Sequence, residues 1–63
     1  MEYFRCYFLT PDNHIFFGVD VTAEAPEDAV KLAIADEHAR KATTIEVWSG
    51  ATRLLEKKQE ARP

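Results

Sequence analysis

Alternation of apolar and polar side chains with a period of two marks the strands of this chain. From Tyr3 to Leu9 the run YFRCYFL sends Phe4, Cys6 and Phe8 to one side and Tyr3, Arg5, Tyr7 and Leu9 to the other. Its aromatic content suits a pleated, half-buried surface. Pro11, Asp12 and Asn13 follow within TPDNH, and each favours a turn. A second alternating run, IFFGVDVT, spans Ile15 to Thr22, with Ile15, Phe17, Val19 and Val21 on one side and Phe16, Gly18, Asp20 and Thr22 on the other. Adjacency and turn chemistry make the two runs a hairpin. Gly18 inside the second run marks a bulge or the close approach of an aromatic neighbour.

The period changes at Pro26. Ala29, Val30, Ala33 and Ile34 form one stripe at helical spacing with Leu32 on its flank, which predicts a helix from Pro26 to about Arg40. Proline suits the first helical position. Glu27 and Asp28 complement the dipole at one end, as do His38, Arg40 and Lys41 at the other. Ala25, just before Pro26, supplies no cap side chain, so mild fraying is expected at a short strand-to-helix hinge, Thr22 to Ala25. Period two returns in TTIEVW, with Ile45 and Val47 facing in and Thr44, Glu46 and Trp48 facing out. Ser49 and Gly50 signal a turn, ATRLLE supplies a short last strand, and the polar run KKQEARP, residues 57–63, is expected to be a disordered tail.

The fold expected is therefore α+β, a single domain over residues 1–56 in the order β-β-α-β-β. Its sheet is mainly antiparallel, with strand order 2-1-3-4 so that the crossover helix returns the third strand beside the first. One helix covers one face. It should lie on Phe4, Cys6, Phe8, Phe17, Val19, Val21, Ile45 and Val47. The other face then displays Tyr3, Tyr7, Phe16 and Trp48 with Arg5, Asp20 and Glu46, and Arg53 beside them, a larger apolar surface than a monomer usually leaves in water.

Composition narrows what that face does. A chain of 63 residues draws only roughly 3–5 kcal/mol from its core unless a disulfide, a metal or a partner adds to it. Cys6 is the only cysteine, so no disulfide forms within one chain, and in an apolar strand it reads as a small buried hydrophobe. A second subunit is the stabiliser left. The net charge of −3 argues against nonspecific nucleic-acid binding, which needs a concentrated positive field. Neither a signal peptide nor a membrane-length apolar run is visible, and a cytoplasmic, bacterial setting is the expectation.

Catalytic and metal chemistry find little to use. His14 sits in the first turn and His38 on the polar side of the helix, both read as solvated, and no Cys or His spacing matches a metal site. Gly18 and Gly50 make no phosphate loop. Asp36 and Glu37, adjacent on a helix, diverge too far for paired acid–base work. The reading is that of a non-enzymatic protein-interaction module without cofactors, homodimeric through Tyr3, Tyr7, Phe16 and Trp48 with Arg5 as a polar contact, or through hairpin or domain exchange about Thr22–Ala25 and Lys41–Thr43. Another protein in place of the second copy is the other partner considered. A single-stranded nucleic-acid platform is the alternative, since sheet aromatics stack on bases.

Three segments carry a resemblance: YFRCYFLTPDNHI, EDAVKLA and IEVWSGATRLL. They resemble small uncharacterised ββαββ proteins of alphaproteobacteria, which share an aromatic first strand, a D-x-x-G-H-I-like turn, an acidic helix start with E-A-x-x-L-A and a final E-V-W-x-G-x-R-x-L hairpin. The chain departs from that pattern at Pro11 to His14, where a glycine is usual, and by one extra residue near Thr52. The resemblance implies the fold, a bacterial source and a hairpin unit of Trp48, Gly50 and Arg53 in a structural role, and it implies no activity. EAPEDAVKLA is similar more loosely to the helix start of antitoxin domains, an antitoxin-like regulator being the implication, though their P-D-L-P-G-C-like segment is missing.

Overall fold

The computed structural model describes residues 1–59. Strands β1 (Glu2–Leu9) and β2 (Ile15–Ala23) lead into helix α1 (Pro26–Ile34), a 3-10 helix (Glu37–Lys41), and strands β3 (Thr44–Ser49) and β4 (Thr52–Lys58). All neighbouring strands are antiparallel, in the order β2-β1-β3-β4. This is the α+β arrangement and the strand order that the pattern predicts.

The β1–β2 hairpin closes as the TPDNH chemistry demands. Thr10 and Asn13 donate backbone hydrogen bonds to the carbonyls of His14 and Thr10 at 2.9 and 2.8 Å. Asn13 takes a φ of 66°, the left-handed conformation that asparagine tolerates next best to glycine. Gly50 does the same work in the second hairpin at φ 60°.

The helix is shorter than its periodicity predicts. Its regular turns stop at Ile34, Asp36 swings into an extended conformation, and a 3-10 turn follows where further α-helix was expected. The cause is local: the Asp36 carboxylate accepts the backbone N–H of His38 at 2.8 Å and so caps the next helix. The stop also removes Ile34 from the buried stripe and leaves it 44% exposed. At the other end Ala25 is the cap residue, extended and without a side-chain hydrogen bond, with Pro26 first in the helix.

Helix α1 buries Ala29, Val30 and Ala33 against Phe4, Cys6, Phe8, Ile45 and Val47, which touch no solvent. Small residues on the helix allow this close packing. Phe17, Val19 and Val21 of β2 and Leu55 of β4 join the core only partly. Residues 57–59, expected within the tail, are held by the sheet and its neighbouring loop instead. Lys57 and Lys58 pair with Ile45 and Thr44, and Gln59 donates its backbone N–H to Thr43 and its side chain to the carbonyls of Ala39 and Ala42. The rest of that expected tail, residues 60–63, lies outside the described residues.

Candidate interaction face

Register fixes what each position of the uncovered face meets. Across the strands from β2 to β4, one row holds Asp20, Arg5, Trp48 and Arg53, and the next holds Gly18, Tyr7, Glu46 and Glu56. Four of the five residues singled out from the sequence, Tyr3, Arg5, Tyr7 and Trp48, share this face. Phe16 is set apart. The β1–β2 register slips between Phe8 and Leu9, so Phe16 becomes the extra residue of a bulge, and its ring lies 6.4 Å from that of Phe8.

The centre of the face is one contact system. Tyr7 and Trp48 meet edge to face, with ring centroids 6.1 Å apart and planes at 79°, a favoured geometry for aromatic quadrupoles. Tyr7 also lies over Gly18: a Cβ there would fall 3.2 Å from its ring. The glycine is the close approach that its place in a strand foretells. The Arg5 guanidinium stands 6.0 Å from the centre of the Tyr7 ring and pairs with Asp20.

Glu46 organises the other half. It lies on the uncovered side of the sheet, yet only 7% of it is exposed. Burying a carboxylate is costly unless it is paired, and here both oxygens are taken. Trp48 Nε1 donates to one at 3.0 Å and Arg53 Nη1 to the other at 3.1 Å. Among the described residues, no buried side-chain nitrogen or oxygen lacks a partner. The sequence places Glu46 on this face but hides its burial, which depends on two long neighbours folding over it.

The resulting surface is aromatic and balanced in charge. Tyr3 is 56% exposed, Phe16 38%, and Tyr7, Arg5 and Trp48 are half-buried. Arg5 and Arg53 are each already engaged by a carboxylate. A nucleic-acid phosphate would have to compete with Asp20 and Glu46 for them.

Groups with catalytic or metal-binding capacity gather nowhere on this face. Burial pushes the Cys6 thiol up from its ordinary range, with the charge of Asp20 acting in the same direction, so it stays protonated and inert. His14 is exposed in its turn. His38 is not the solvated residue expected: its ring stacks on Phe17 at 3.6 Å and 10°, and its Nδ1 lies 2.7 Å from Asp36. The backbone and then the ring of His38 hold the Asp36 carboxyl below its usual range. Among the described residues, no three His, Cys, Asp or Glu side chains stand close enough to hold a metal ion. Nor is any described helix long and apolar enough to cross a membrane. No protein-family model, curated protein or solved structure matches the chain.

Proposed function

We propose that the chain is a small, non-enzymatic protein-interaction module of the cytoplasm, and that a second copy of itself is its partner across the outer face of the sheet. One observation carries this reading: Tyr3, Tyr7 and Trp48 lie on a sheet face that no other described element covers, among cations already paired with carboxylates. Exposed aromatic side chains with neutralised charges around them favour another protein surface over a polyanion. A face carrying both signs is also compatible with its own two-fold copy. The buried free thiol of Cys6 fits a reducing compartment.

Sedimentation equilibrium across the micromolar range, read together with Trp48 emission, tests the proposal. The expected result is a particle of two chains or more whose tryptophan emission shifts to the blue as concentration rises. Tyr3→Asp should shift that association to higher concentration while leaving the fold intact by circular dichroism. A monomer at all concentrations would overturn it. Quenching of Trp48 by single-stranded oligonucleotides at low salt would favour the nucleic-acid reading instead.

A further inference from the structure

The two edges of the sheet are built differently. Strand β4 carries the protections that natural edges use: a bulge at Leu54, where the register slips between Val47 and Trp48, and the charged run Glu56, Lys57 and Lys58. Strand β2 carries almost none. It is nine residues long, contains no lysine and no proline, and after the bulge at Phe16 its pairing runs regularly from Phe17 to Ala23. Its one charge, Asp20, faces the outer side of the sheet and is neutralised by Arg5.

The core layer is also less sealed on that side. Phe4, Cys6 and Phe8 of β1 and Ile45 and Val47 of β3 touch no solvent, whereas Phe17, Val19 and Val21, next to them on β2, remain only half-buried, Phe17 even with the His38 ring stacked on it. These are alternate residues of a strand whose far edge has no neighbouring strand among the described residues. Whatever completes the layer must bring a strand with apolar side chains at the same alternation.

We propose that β2 pairs antiparallel with β2 of a second copy, joining two four-stranded sheets into one of eight strands. The strand is complementary to itself. With the two-fold axis at Val19, Phe17 of each copy meets Val21 of the other, which extends the apolar layer on the helix side. Asp20 then falls opposite Gly18. Centring the axis on Asp20 would instead set two carboxylates face to face, which disfavours that register. The inference stands apart from the outer-face reading, because it uses the edge of the sheet and the helix side. The two interfaces are compatible, and together they close as a four-chain particle of dihedral symmetry.

Amide hydrogen exchange on the intact chain at high and low concentration tests it. The expected result is that the amides of β2 that point away from β1 exchange slowly at high concentration and lose that protection on dilution. Val19→Lys, which sets two ammonium groups opposite each other, should weaken association by about tenfold or more. Should that variant not fold, exchange on the unaltered chain decides alone. β2 amides that stay unprotected in a particle of two chains with shielded Trp48 would overturn the edge pairing and leave the outer-face reading standing. Protected β2 amides with unchanged Trp48 emission would do the reverse. A monomer whose β2 amides exchange freely at every concentration would overturn both.

Discussion

On the helix side of the sheet, Phe4, Cys6, Phe8, Ile45 and Val47 touch no water. One residue along on the same strands, Arg5, Tyr7 and Trp48 stay half-exposed and are held by an edge-to-face ring contact, a guanidinium near a ring, an ion pair of Arg5 with Asp20 and a hydrogen bond from Trp48 to Glu46. The first side is joined by non-directional burial, where shape and volume matter. The second depends on named pairs whose geometry must be kept. A domain this small holds its sheet with both.

The comparison breaks most visibly in the core. Phe8→Ala should cost about 3–5 kcal/mol, comparable to what a core of this size supplies, so the variant should lose its cooperative urea transition. On the outer side the same truncation should cost less. Glu46→Ala leaves Trp48 Nε1 and Arg53 without their acceptor, but both reach water, so the expected loss is about 1–2 kcal/mol. A red shift of Trp48 emission should accompany it. A loss as large as that of Phe8→Ala would show that the outer side belongs to the core.

Gly18 sharpens the contrast, because it tests the fit of one ring. Gly18→Ala should destabilise the intact chain by up to about 1 kcal/mol, since the added Cβ presses on Tyr7. In a Tyr7→Ala background the same change should become neutral or stabilising, as alanine restricts the unfolded chain more than glycine does. A double-mutant cycle by denaturant titration reads the sign.

The smallest effect belongs to Asp36, which lies on neither face and is partly exposed. Its folded pKa is depressed by His38, so its contribution is present above the unfolded carboxyl value of about 4 and is lost as pH falls through the folded value. The urea midpoint should therefore decline on acidification below about pH 4, and Asp36→Asn should flatten that decline.

What the sequence reveals and what it hides divide along physical lines. YFRCYFL assigns Phe4, Cys6 and Phe8 to one face because a strand has a fixed period of two, and the hairpins follow from turn residues that act within a few positions. The break after Ile34 is hidden. Ala35, Asp36 and Glu37 are each acceptable in a helix, and the capping strength of Asp36 counts only once the chain has turned. The stack of His38 on Phe17 joins residues far apart in sequence, whereas the sealing of Glu46 is local to the last hairpin and hidden because it depends on how the side chains of Trp48 and Arg53 fold over it. The bulges at Phe16 and Leu54 interrupt an alternation that looks continuous on paper, which is why Phe16 departs from the face assigned to it.

The pairing of β1 with β3 has one more consequence, and it concerns time. Glu46, Trp48 and Arg53 all lie in the second hairpin, and Arg5, Tyr7, Gly18 and Asp20 all lie in the first. On the outer face the Tyr7–Trp48 contact bridges the two. Each hairpin closes only a short loop, whereas aligning Arg5 with Trp48 or Leu9 with Thr44 means closing a loop of more than thirty residues. The chain is thus two quick local structures waiting on one slow zipper. Because both hairpins precede that step, substitutions inside either are expected to slow folding, while side-chain contacts that the seam completes only afterwards act mainly on how fast the finished domain comes apart.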